Sequence, residues 1–193
     1  MPVLFARSRQ TSYSFASLDG QYRVGLTPEF CGISTSTYTR WEQFSAMCER
    51  PLAALQAIYT PAVLARLGLR YRNVIVRSKL GLEGIPWREL LQPHSLGELG
   101  VVDIGDRCEE MFRHLVIRFP DSDQLFVRLE HGFVQQGDSK ETCYLIDADF
   151  FAVQPQIGNE HTLLEKFHGL AHAVFRWTIS DRLHNALGPD LAQ

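Results

Sequence analysis

Cysteine is scarce and scattered in this 193-residue sequence. Cys31, Cys48, Cys108 and Cys143 form no C-x-x-C pair, so no zinc knuckle or dithiol redox motif is encoded. Four isolated thiols in a chain with ample apolar content read as reduced and mostly buried, with a nucleophilic thiol as the minor alternative. No stretch approaches the ~20 apolar residues of a membrane-spanning helix. The opening M-P-V-L-F-A-R-S-R-Q lacks the apolar centre of a signal peptide. A soluble, cytoplasmic protein without membrane contact is the expectation. Neither sign of charge dominates: 19 Lys and Arg stand against 22 Asp and Glu, a net charge of -3. That balance exerts no global pull toward nucleic acid or anionic lipid. There is no Gly-rich phosphate loop, no G-x-S-x-G elbow and no H-E-x-x-H. No reaction is legible, whether the chain is an enzyme stays open with the balance against it, and no cofactor is called for.

What is present is an ordinary globular composition, 45% hydrophobic and 11% aromatic, enough for a sizeable core. A single domain over residues 1–193 is expected. Residues 1–20 read as an extended arm or a first edge strand, with Asp19-Gly20 as a turn. Residues 21–26 and 30–38 form a hairpin around Thr27-Pro28-Glu29. Thr39 followed by Glu42 resembles a capping box. Trp41, Phe44, Cys48, Leu52, Leu55 and Tyr59 recur at helical spacing, with Pro51 expected to kink or break the helix near Glu49-Arg50. Thr60-Pro61 has the order of a second helix start, which Gly68 would end. Residues 69–77 form a distinctive strand. A short helix opens at Pro86-Trp87, and 101–104 are a candidate short strand.

Residues 112–119, 124–134 and 142–153 read as an antiparallel meander with turns at 120–123 and 135–141. Asn159 caps a long helix to about Leu187, stopped by Gly188-Pro189. Its expected core stripe is Leu163, Phe167, Leu170 and Val174. The sum is an α+β fold: a mostly antiparallel sheet packed on a broken N-terminal helix and a long C-terminal helix.

Three clusters carry chemistry. Arg70 and Arg72 share one strand face, and Arg66, Arg77 and Lys79 add charge nearby. They suit an anion or phosphate site, or, as the favoured reading, a polar face whose arginines pair with acids on neighbouring strands. Asn73, an amide among core residues, is expected to tie down a loop or adjacent strand. Asp147 and Asp149 share a face of Y-L-I-D-A-D-F-F; they could hold a hard cation, act as acid and base, or pair with Arg128 across the sheet. On the last helix His161, Glu165, His168 and His172 line one side. They are a weak metal-ligand set or pH sensor, and otherwise a solvated or partner-facing surface.

The segments Y-T-R-W-E-Q-F, R-L-G-L-R-Y-R-N-V-I, L-I-D-A-D-F-F and L-E-K-F-H-G-L-A-H-A-V-F-R-W-T-I-S follow in order. In this the chain resembles a sporadically distributed family of uncharacterised bacterial and archaeal proteins. Its hallmarks are a G-L-R-Y-x-N strand, an acidic late strand and a C-terminal helix with a histidine and an I-T/S step. The matching positions are Tyr38, Trp41, Gly68, Leu69, Arg70, Tyr71, Asn73, Asp147, His168 and Phe175. The resemblance implies a fold and a further N-terminal strand that this sequence lacks or replaces. It implies no activity. Its patchy distribution suggests a toxin-neutralising or phage-defence setting.

Three readings follow. One is a non-enzymatic binding or regulatory protein that meets a protein partner, through a sheet edge or the last helix. The second is a small-ligand binder or enzyme with Arg70, Arg72, Asp147 and Asp149 lining a pocket between sheet and helix. The third, nucleic-acid binding through the basic strand, is disfavoured by the net charge. An open edge would also permit a homodimer.

Overall fold

The computed structural model describes residues 11–120, 122, 124–135 and 141–188. The fold is α+β, with antiparallel sheets of three and four strands. The described residues fall into two compact units that divide between Pro61 and Ala62.

The first unit holds a meander of β1 (Tyr13–Ala16), β2 (Tyr22–Leu26) and β3 (Cys31–Thr35). Gly20 turns the first hairpin at φ 70, and the Asp19 carboxylate accepts from the Gln21 amide. Thr27 and Phe30 close the second through a 2.8 Å backbone bond. Helix α1 (Trp41–Tyr59) follows. The capping box does not form: the helix begins after Arg40, and the Thr39 hydroxyl bonds to Gln43 instead. Nor does Pro51 break the helix, which continues through it. Proline removes one amide donor, but Trp41 and Cys48 on the same helix are both buried and anchor its course. Thr60 takes a left-handed conformation, φ 39. That ends α1, and no second helix starts at Pro61.

The second unit is built on β4 (Arg66–Ile75), β5 (Phe112–Arg118), β6 (Leu125–Gln135) and β7 (Thr142–Val153), in spatial order β4-β7-β6-β5. Between β4 and β5 lie 3₁₀ turns and two one-turn helices, α2 (Pro93–Leu96) and α3 (Val102–Gly105). The expected strand at 101–104 is therefore helical. Residues Asp121, Asp123, Gly137, Asp138 and Pro189, named above as turns or stops, and the first ten of the 1–20 arm lie outside the described residues.

Alternation along the strands sorts this sheet into two faces. Leu69, Ile75, Leu125, Val127, Leu129, Tyr144, Ile146 and Phe150 are buried on one. Helix α4 (Glu160–Thr178) packs on that face. Its buried stripe is Leu164, Phe167, Ala171 and Thr178, a rotation from the expected one.

The long C-terminal helix is interrupted. Ile179 is extended and bridges Leu91. The Gln92 amide donates to the Thr178 carbonyl and the Ser180 amide to that of Leu90, at 3.0 and 2.9 Å. Ser180 then caps α5 (Asp181–Leu187), accepting from the Leu183 amide. Two extended residues exchanged for inter-segment backbone bonds bury Leu90, Leu91, Ile179 and Leu183 almost completely.

Candidate functional site

The opposite face of the four-stranded sheet carries the arginines and aspartates. Asp147 is 3% exposed, yet it lies on this outer face because two arginines cover it. Arg70 grips it through both carboxylate oxygens, at 2.6 and 2.7 Å. Arg72, directly opposite in register, stands at 3.6 Å. Fork-to-fork geometry of this kind is the strong form of the Arg–carboxylate pair. The bond to Asp147 raises the Arg70 pKa further above its ordinary value.

Arg66 reaches Asp149 at 2.6 Å although it stands four positions before Arg70, the arginine facing that aspartate. Gly68 makes this possible. A Cβ there would lie 2.8 Å from the Arg66 guanidinium, so the missing side chain opens a channel along which Arg66 lies. The guanidinium also sits 4.5 Å above the Phe151 ring, which stacks on Phe126. The glycine of R-L-G-L-R-Y-R thus serves an ion pair, not a helix terminus.

Arg70, Arg72, Asp147 and Asp149 gather on one surface. They do so as mutual partners on the face turned away from α4, not as the lining of a pocket between sheet and helix. Arg128 faces Asp149 from β6 but makes no ion pair among the described residues; the acids turn to β4. Asn73 and His168 belong to the other face. The Tyr71 hydroxyl and His168 Nδ1 are 3.0 Å apart, which joins β4 to α4. Asn73 is half-buried, and its amide ties down no loop among the described residues. Of the proposed histidine set, His161 is exposed and stands 3.9 Å from Glu165, while His168 turns inward. Among the described residues no three His, Cys, Asp or Glu side chains are grouped to hold a metal ion.

Two further features were not singled out from sequence. One is β5, the end strand of the sheet order, on which every residue but Arg113 is exposed among the described residues. The other is a cleft of about 220 Å³ lined by His94, Ser95, Arg113, His114, Leu115, Leu129, His131 and Trp177. His131 is buried at its floor, with Nδ1 2.7 Å from the hydroxyl of wholly buried Tyr144. Burial, helped by the nearby Arg113 charge, pushes the His131 pKa down to about 4. Burial likewise pushes the Tyr144 hydroxyl up. Both are therefore neutral near pH 7. His94 stacks on the Trp177 indole at 4.0 Å and its Nε2 donates to the Trp177 carbonyl.

The thiols offer no reactive centre in the first unit: burial raises Cys31, and holds Cys48 up at about 11.

Compared with protein-family models, curated proteins and solved structures, the chain matches none. Function must be argued from the surface itself.

Replacing Asp147 by asparagine should destabilise the protein by about 1–2 kcal/mol, the low end for charged hydrogen bonds because Arg70 stays hydrated. Urea denaturation checks this; Asp147→Asn unfolding at the wild-type midpoint would mean that the triad carries no net stability.

Proposed function

We propose that this chain is a cytoplasmic, non-enzymatic binding protein that takes up an extended strand of a protein partner along the open edge of β5. The observation that supports it is the character of that edge. Phe112, Val116 and Ile117 are 57%, 55% and 41% exposed on a strand with no proline and no lysine. Natural edges are ordinarily blunted by charge, proline or a bulge. Both edge strands carry arginine, three residues on β4 and two, Arg113 and Arg118, on β5; what sets β5 apart is its exposed apolar side chains. An edge that exposes apolar side chains on both faces, Phe112 and Val116 on one and Ile117 on the other, is suited to strand addition, in which main-chain hydrogen bonds supply affinity and side-chain pockets supply selectivity. A toxin-neutralising or phage-defence setting, suggested by analogy from the patchy distribution of the family the sequence resembles, would provide such a partner.

The basic strand supports nucleic-acid binding less well. Arg66, Arg70 and Arg72 are engaged by carboxylates. Arg77 donates to the Ile85 carbonyl and lies over Trp87. The two aspartates offset part of the charge that phosphates would need.

The test compares wild type with Val116→Lys/Ile117→Lys, which places charge on both faces of the edge. A partner copurified from the native host should bind the double variant at least tenfold more weakly, and β5 amides should exchange more slowly in the complex. An Arg72→Ala control on β4 should bind normally. Undiminished binding by the lysine variant, or amide protection confined to β4, would sink the reading. Light scattering at two concentrations tells a second copy from a foreign partner.

A further inference from the structure

We infer that the cleft beside β5 receives a carboxylate, specifically the side chain of a glutamate or aspartate on the strand that β5 takes up. This rests on the strand-addition reading and deepens it by naming what selects the partner.

The geometry begins with β5 itself. Arg113, His114 and Leu115 are consecutive on the strand, and all three line the cleft. The cleft is therefore continuous with the open edge. Arg113 and Leu115 face His131 and Leu129 across the β5–β6 register, on the buried side of the sheet. A strand added outside β5 would lie about 4.8 Å away, with alternate side chains pointing to that same side. One opposite Arg113 or Leu115 would enter the cleft mouth.

The chemistry of the wall then selects the group. No acidic side chain lines the cleft. Arg113 is a preset cation: a Cβ on Gly97 would come within 1.6 Å of its guanidinium, so the glycine, at φ 50, is what leaves room for it. Glu98, largely exposed, already holds the same guanidinium by one nitrogen. That shows the fork accepts a carboxylate and leaves further N–H groups unused. On the floor, the Tyr144 hydroxyl has no acceptor among the described residues but His131 Nδ1. With the hydroxyl donating there, the imidazole proton sits on Nε2 as a donor. Ser95, buried, supplies a hydroxyl. Leu115 and Leu129 form the apolar wall that would cover the methylenes of a glutamate. Donors at the floor, one cation and an apolar wall match an acidic side chain, and a lysine would meet Arg113 with like charge.

The experiment uses three acetylated, amidated heptapeptides rich in valine and threonine that differ only at the central residue: Glu, Gln or Lys. Binding to the full chain is followed by NMR titration. The Glu peptide should bind at least tenfold more tightly than the Gln peptide, and the Lys peptide more weakly than both. Arg113→Met should abolish the Glu–Gln difference, so that the two peptides bind the variant alike. Gly97→Ala, which evicts the guanidinium without removing it, should reduce the difference as well. Equal affinities for Glu and Gln in wild type would overturn the cleft assignment and leave strand addition standing. Failure of all three peptides to bind wild type, or binding that Val116→Lys/Ile117→Lys leaves unchanged, would overturn both.

Discussion

Gly132→Ala is expected to cost about 3 kcal/mol or more of stability. Gly132 sits in β6 opposite Phe112, where the chain entering β5 crosses closely. A Cβ at this position would stand 2.1 Å from the Met111 carbonyl oxygen and 2.7 Å from the Phe112 Cα. Both are backbone atoms, so no rotamer change relieves the overlap. The Met111 carbonyl also accepts the Phe133 amide at 2.8 Å. Moving it aside breaks that bond and displaces the start of β5. Gly169, on α4 with no atom within 4 Å of its missing Cβ, is the internal contrast. Gly169→Ala should stabilise by about 0.5–1 kcal/mol through helix propensity alone. Urea midpoints of the two variants should move in opposite directions. A Gly132→Ala midpoint equal to wild type would show that the crossing is loose.

Acid should weaken this protein well before its surface carboxylates protonate, and His131 is the reason. In the folded chain it takes a proton only near pH 4, against an ordinary value of 6.5. The unfolded chain therefore binds the extra proton through the window between those values, and stability rises with pH across it. Above about pH 6.5 the residue is neutral in both states and contributes no slope. Between pH 6.5 and 4 it should remove on the order of 3 kcal/mol. His131→Gln keeps a partner for the Tyr144 hydroxyl and removes the titration. Denaturation at pH 7 and pH 4.5 should show a smaller acid loss in that variant than in wild type. An identical loss would assign the acid sensitivity to other groups.

How much of this was legible beforehand differs between elements. The strands β5, β6 and β7 were readable almost to the residue, because alternation of period two is a local property. That Arg70 and Arg72 share one face of their strand, and Asp147 and Asp149 one face of theirs, was readable too, since strand alternation puts each set on one side. Which carboxylate each arginine would take was not. Arg66 reaches Asp149 only because Gly68 is a strand neighbour of Phe151, a fact of register. The stop at Ile179 escaped for a related reason. Helical spacing continues through it, and only the backbone of Leu90–Gln92, far away in sequence, outcompetes the helix there. Ser180 followed by Asp181 is the local cap signal that periodicity masked.

The cleft was invisible in sequence because its residues come from four separate elements. His131 did leave a trace, as the polar member of the inward series Leu125, Val127, Leu129, and a histidine in that series needs a partner.

By itself, then, the sequence determined the class of fold, the meander, the polar and apolar faces of each strand and the absence of any familiar catalytic motif. These follow from period, composition and turn chemistry, which act between near neighbours. Tertiary structure alone decided the ion-pair partners, the break in the last helix, which edge is left open and the pocket beside it. Each of those depends on contacts between residues tens of positions apart, whose energy is set by register and burial and cannot be read from either segment alone.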